Sequence, residues 1–378
     1  MQKTPATSRG MSHDLPQPAA HLRGPVVFIN LWAQSGMKHY SESLMHALAP
    51  AAGIFYLRNY ESRLEVPGRQ VRLNPVGLRG CTDLFLVASE VLRRRPAAVH
   101  LNSELPILLP LFPLFACFNS VITLHDAVPH EGESLAKRAF MRLHLLFVFL
   151  FIRKVIVHSA AIRDELPAIL HSRTHVVPHV NYSFWAHEKS SARDVAPPGD
   201  RSLEGKQTLG GKPLLVLFFG RLLRYKGLEY LLEAFQQLDP QRFELIIAGE
   251  GDLSDYCIEG ANIRTLNRFI PDEEMAALFN EAHAVALPYL SASQSGVAYM
   301  AFAFEKPVIA TRVGALADVV IDGQNGFLIE PRSAEALAAA LTRIADPATW
   351  SRLTENVRRQ NFSADEEIRT RLLQIYRE

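Results

Sequence analysis

Two cations stand in a glycine-bounded loop at the end of an apolar run. Gly220-Arg-Leu-Leu-Arg-Tyr-Lys-Gly follows Pro213-Leu-Leu-Val-Leu-Phe-Phe and carries Arg221 and Lys226. A second apolar run, Phe243-Glu-Leu-Ile-Ile-Ala, ends in Gly249-Glu-Gly-Asp, with Glu250 between the glycines. A third loop, Ser291-Ala-Ser-Gln-Ser, has hydroxyls and one amide but no charge. It opens at Gly296 into a segment whose Val297, Met300, Ala301 and Phe304 recur at helical spacing. The first backbone N–H groups of a helix lack partners within it, so Ser295, Gly296 and Val297 mark a place for an anion. Two cations beside such a helix start suit a diphosphate. Each feature also has a plain structural reading, as surface charge or turn glycine. Their order and spacing together are more specific than any one of them.

The elements that must position these groups read as strands alternating with helices. Pro25-Val-Val-Phe-Ile-Asn-Leu-Trp is an apolar strand, Ala33 to Met37 a small polar loop, and Lys38 to Ala49 a helix. This opening has Rossmann form but lacks the three spaced glycines of a dinucleotide fingerprint, which counts against a NAD-type dehydrogenase. Gly36 and His39 fall at the strand's carboxyl end, where open α/β sheets bind ligands, although His39 reads equally well as a surface helix residue. Strands are expected at Ile54–Leu57, Ala98–Asn102, Ser120–His125, Val155–Ser159 and His175–Pro178, with a helix from Asp83 to Arg94. The pattern predicts an α/β fold with mostly parallel sheets covered by helices on both faces.

Five regions follow from this pass along the chain. They are a disordered lead-in at 1–24, a first Rossmann-like domain at 25–182, a breaker-rich linker at 183–212, a second Rossmann-like domain at 213–345, and C-terminal helices at 346–378. An apolar content of 48% with 21% charged residues fits a folded globular protein rather than a disordered one. Three scattered cysteines suggest neither a disulfide framework nor a zinc site, and a reducing cytoplasm fits them. Residues 1–182 hold 19 Lys/Arg against 12 Asp/Glu, and residues 183–378 hold 21 against 27. A front half so biased fits an anionic partner, or solvated charges distributed by chance. Leu143 to Ile152 is continuously apolar but for His144, with Lys137, Arg138 and Arg142 before it and Arg153 and Lys154 after. It is too short to span a bilayer. It reads either as a core helix or as one lying in a membrane interface.

From Leu214 to Glu330 above all, the sequence resembles the family-4 retaining glycosyltransferases of GT-B architecture. Gly220-Arg…Lys-Gly looks like that family's donor loop, Ala248-Gly-Glu-Gly-Asp like its glycine turn, and Lys306-Pro-Val-Ile-Ala-Thr with Asp322-Gly-Gln-Asn-Gly-Phe like its C-terminal signature. In the front half, Thr123-Leu-His-Asp resembles the strand-end histidine motif and Ser35-Gly36 the loop beside the acceptor. The resemblance implies two Rossmann-like domains facing each other across a cleft, with the helices at 346–378 crossing back to the first domain. It implies that Arg221 and Lys226 neutralise a donor diphosphate, and that backbone groups around Arg268 and Phe269 form the base pocket. His125 then lies over the sugar as a hydrogen-bond partner, with Asp126 close by. The family's pair of glutamates is replaced by Ala292 and Met300, while Gln294-Ser295-Gly296 looks like a branch of the family carrying Gln-Ser-Gly.

The expected partners are a UDP- or GDP-linked sugar and a saccharide acceptor. No nucleic acid is expected, and no metal or other cofactor, since no Asp-x-Asp motif is visible. A lipid-linked saccharide at the inner membrane face, in surface polysaccharide synthesis, is the leading expectation for the acceptor. A soluble acceptor, or a silent nucleotide-sugar-binding protein, are the alternatives.

Overall fold

The computed structural model describes residues 22–30, 36–48, 54–58, 69–72, 78–102, 106–125, 135–182, 186, 213–292, 295–360 and 364–378. Within these lie two parallel sheets. The first is built from β1 (Val26–Asn30), β2 (Ile54–Arg58), β3 (Arg69–Arg72), β4 (Ala98–Leu101), β5 (Ser120–Thr123), β6 (Lys154–Val157) and β7 (Thr174–Val176), in the order β3-β2-β1-β4-β5-β6-β7. The second contains β8 (Leu214–Phe219), β9 (Phe243–Ala248), β10 (Ile263–Leu266), β11 (Ala284–Leu287), β12 (Val308–Thr311) and β13 (Gly326–Ile329), in the order β10-β9-β8-β11-β12-β13. Strand order reverses between β1 and β4 in one sheet and between β8 and β11 in the other. Doubly wound sheets open their ligand crevice at such switch points, outside the carboxyl ends of the strands.

The central strands are mostly apolar because both faces are covered, with buried polar exceptions such as Asn30 and His100. Successive side chains point to opposite faces. Accordingly Val27 and Ile29 enter a core under the first sheet, while Leu214, Val216 and Phe218 enter one under the second. Val26 and Phe28, together with Leu215 and Leu217, belong to a third cluster that draws on both domains. Helix Gly36–Leu48 and the terminal helix Ala364–Arg377 also contribute to this shared cluster, through Tyr40, Leu44, Ile368 and Leu372.

The last two helices part company. Helix Pro347–Gln360 stays with the second domain, where Trp350 Nε1 donates to the His283 carbonyl at 2.9 Å and Arg358 pairs with Glu305. Helix Ala364–Arg377 packs on the first: Tyr376 Oη lies 2.6 Å from His100 Nδ1, Asn119 donates to the Tyr376 carbonyl, and Arg369 donates to the Ala47 carbonyl.

Several elements differ from the sequence expectation. Helix Leu78–Arg94 starts five residues before Asp83, at a stretch where Gly80 and Thr82 mask its periodicity. Edge strand β3, Arg-Gln-Val-Arg, has one apolar residue and gave no strand signal. Residues 1–21, 183–185 and 187–212, expected as lead-in and linker, lie outside the described residues apart from the stretch at 22–24 and the isolated Ala186. The apolar segment at 143–152 forms, but for Ile152, the last turns of helix Leu135–Phe151, with one face packed on the core and one exposed. Met141, His144 and Val148 are buried against the first domain, whereas Leu143, Leu146 and Leu150 face outward. No described helix is long and apolar enough to cross a membrane.

Candidate functional site

The loop after β8 is shaped around one buried amine. Lys226 is 6% exposed, with Nζ 3.4 Å from the Phe219 carbonyl and 5.5 Å from the centre of the Tyr289 ring. A Cβ on Gly220 would lie 2.7 Å from that Nζ, and Gly220 has φ +100°. Glycine is therefore what lets the strand end run alongside the amine. Gly227 (φ +66°) closes the loop against the Pro288 carbonyl, where any Cβ would collide. Leu290 N donates to the Tyr225 carbonyl at 2.7 Å, tying this loop to the one after β11. Burial, and then the charge of Arg221, bring the Lys226 pKa down to about 7. The amine sits at the edge of losing its proton, and an arriving anion would restore it.

Arg221 itself is exposed. Gly249 and Glu250 follow β9, with Gly220 N donating to the Ala248 carbonyl and Leu222 N to the Glu250 carbonyl. The Glu250 side chain is exposed. From the other side of the switch point comes helix Gly296–Ala303. Its cap residue Ser295 is buried and does not cap the helix through its side chain; its hydroxyl instead lies 3.4 Å from Tyr289 Oη. The Val297 side chain would stand 3.7 Å from a Gly220 Cβ. Gly220, Lys226, Ser295, Gly296 and Val297 are thus gathered at one crevice, together with Tyr289. Arg268 and Phe269 are exposed on the loop after β10, and Arg268 is held in a two-point ion pair with Glu274. Ala292 is half-buried and Met300 is packed in the shared core.

On the first domain, His125 follows β5 and its Nε2 lies 3.0 Å from Asn102 Oδ1. Asn102 follows β4 and donates to Ser41 Oγ at 2.7 Å. Asp126, Ser35 and Gln294 lie outside the described residues. Gly36 begins helix Gly36–Leu48. His39, expected beside the acceptor, is buried and lies 3.1 Å from Asp272 Oδ1 of the second domain, next to the Lys38–Asp272 ion pair at 2.7 Å.

His125 does not stand alone. His158 follows β6, His179 lies just beyond β7, and the three rings cluster around Tyr40, whose ring centre is 4.8, 5.2 and 4.9 Å from those of His125, His158 and His179. Burial lowers the His158 pKa to about 4 and holds His125 and His179 well below the ordinary histidine range. All three are neutral at pH 7. His179 stacks on Tyr299 of the second domain at 4.1 Å, and a Cβ on Gly296 would lie 3.4 Å from Tyr182 Oη. The histidine cluster therefore faces the helix start across the domain boundary. His158, His179 and Asn102 were not singled out in the sequence, yet a signal was there: three neighbouring parallel strands are each followed within three residues by a histidine.

Residues 213–346 match the family profile described as "Glycosyl transferases group 1". A curated relative, the D-inositol 3-phosphate glycosyltransferase of Corynebacterium glutamicum (strain R), is 34% identical over 168 residues, which is 40% of this chain and 40% of that protein. The aligned part thus spans well under half of that relative's length. Among solved structures, sucrose-phosphate synthase from Thermosynechococcus elongatus superposes with a TM-score of 0.69 at 21% identity, over 94% of this chain and 98% of that one. HepE from Anabaena, in complex with UDP-glucose, gives 0.68 at 18%, over 93% and 99%. The two-sheet architecture is the GT-B fold of these neighbours, and the stretch similar to the glycosyl transferases group 1 profile is the one that holds Lys226 and the helix start at Gly296.

Proposed function

We propose that the chain is a retaining glycosyltransferase that moves a sugar from a nucleotide-diphosphate donor to an acceptor hydroxyl. The observation that carries this is the buried Lys226 amine between Gly220 and the start of helix Gly296–Ala303, inside the matched domain. Transfer requires a leaving diphosphate to be stabilised while positive charge develops at the sugar carbon. Lys226 and the exposed Arg221 supply cationic charge, and the backbone N–H groups of Gly296 and Val297 supply fixed dipoles aimed at the same crevice. Gly249 and Glu250 border this crevice, and the loop of Arg268 and Phe269 receives the base. Ribose is held without the family's usual carboxylate, since Ala292 and Met300 offer no acceptor.

Across the boundary, His125 acts on the sugar as a neutral hydrogen-bond partner, with its orientation fixed by Asn102. Asp126, Ser35 and Gly36 belong to the acceptor side in this reading, and His39 fixes the domain contact that frames it. The solved neighbour holding UDP-glucose supports a nucleotide-diphosphate sugar as donor.

For the acceptor, we infer a lipid-linked saccharide at an anionic membrane surface. The support is the outward apolar face of Leu143, Leu146 and Leu150, bordered by exposed Arg138, Arg142 and Arg153. Titration calorimetry with UDP- and GDP-sugars tests the donor site. Lys226→Ala should weaken binding by about 10- to 150-fold, the worth of a charge-assisted contact. Failure of the unsubstituted chain to bind any nucleotide sugar would sink the proposal.

A further inference from the structure

We propose that His125, His158 and His179 form a binding site for a zinc-class divalent cation. One imidazole nitrogen from each ring lies within 4.8 Å of the other two. The rings come from the carboxyl ends of three adjacent parallel strands, so the sheet itself fixes their spacing.

Tautomers follow from the hydrogen bonds. His158 Nδ1 lies 3.0 Å from the Val177 carbonyl and His179 Nδ1 lies 2.7 Å from the Val180 carbonyl. A carbonyl only accepts, so both Nδ1 atoms carry hydrogen and both Nε2 atoms keep a lone pair. His158 is 8% exposed, and its Nε2 is buried without a hydrogen-bond partner. An acceptor left unpaired in a dry site is costly, and a cation relieves that cost. A backbone carbonyl behind a ligating imidazole is the usual support of a metal histidine. Asn102 holds the third ring through His125 Nε2, so Nδ1 would be its ligand atom, and a metal-bound His125 is then not the sugar's hydrogen-bond partner: the two roles exclude each other.

The donor set selects the ion. Among the described residues the ligands are three neutral imidazoles, which suit zinc, cobalt, nickel or copper and not magnesium or calcium. Zinc–nitrogen bonds of about 2.0–2.1 Å place tetrahedral ligand atoms about 3.4 Å apart, so the widest pair must close by roughly 1.4 Å, a small side-chain rotation. Tyr40 packs against all three rings and limits access from its side. A fourth coordination position remains for water or an anion.

The test is metal binding by the full chain, read without any transferase assay, so its outcome and that of the donor-site experiment are separate. Chelator-stripped protein is dialysed against zinc and its metal content measured by mass spectrometry. About one zinc per chain is expected. His158→Gln and His179→Gln, checked for native circular dichroism and melting, should each bind at least about 100-fold more weakly. Cobalt(II) added to the unsubstituted chain should give the intense visible bands of a four-coordinate site without thiolate charge transfer, a result that does not depend on the variants folding. Retention by the unsubstituted chain below about a tenth of an equivalent, retention by both variants equal to that of the unsubstituted chain, or a six-coordinate cobalt spectrum would each overturn the proposal.

Discussion

At the scale of single residues, the proposed donor crevice turns on a lysine whose environment opposes its charge. With its pKa near 7, Lys226 is only about one-tenth protonated at pH 8 in the free protein. A bound diphosphate favours the ammonium, so binding at that pH takes up close to one proton. The sign is then fixed: affinity weakens as pH rises above about 7, by up to tenfold per unit while the bound lysine stays protonated. Calorimetry of donor binding at pH 8 in buffers of different ionisation enthalpy should show this uptake. Identical heats in Tris and HEPES would contradict it. The residue types here were legible in the sequence, because Arg221, Lys226 and the flanking glycines are neighbours along the chain. The partners that give Lys226 its character were not. Tyr289 and the Gly296 helix reach it only through the pairing of β8 with β11.

At the scale of elements, periodicity identified most strands and failed where a segment serves two environments. Helix Leu135–Phe151 is apolar around most of its circumference, and sequence alone could not say which face is covered. The fold divides it. Val148 joins a core with Val87, Val91, Leu108 and Phe112, and the outer side of the same helical layer exposes Phe85, Leu92, Leu143, Leu146 and Leu150. Exposed apolar patches rimmed by basic residues are what an interfacial helix layer presents to anionic lipid. The chain should sediment with phosphatidylglycerol-containing vesicles at low salt. Leu146→Glu and Leu150→Glu should each reduce the bound fraction by about tenfold in partition coefficient, from the loss of a buried leucine. If the unsubstituted chain stays in the supernatant, this surface is not a membrane face. The three strand-end histidines make the complementary point. Each lies in plain view after an apolar run, but their convergence depends on β5, β6 and β7 being spatial neighbours.

At the scale of the whole molecule, the described residues of the two domains meet through the Asp272 contacts and a shared apolar cluster. Asp272 takes both Lys38 and His39, and although burial opposes its charge, these partners hold its carboxyl well below the usual range. A depressed folded value means the contact contributes above the unfolded carboxylate pKa and is lost as pH falls below it. Asp272→Asn should loosen the domain contact at neutral pH, seen as an increased radius of gyration by small-angle scattering, with little change in the melting of either core. An unchanged scattering profile would show that the apolar cluster and the His179–Tyr299 stack hold the domains without it.

The terminal helix has one more consequence. The polypeptide passes from the first sheet to the second between β7 and β8, then returns after helix Pro347–Gln360 to lay Ala364–Arg377 on the first domain. Two bodies tied at a single point can swivel in any direction. Tied at two, they keep easy rotation only about the line through both ties, as a door does on a pair of hinges. The return helix would thereby restrict any relative movement of the domains toward a single degree of freedom, one in which a return to the present arrangement would bring Tyr299 back to His179 in the same register.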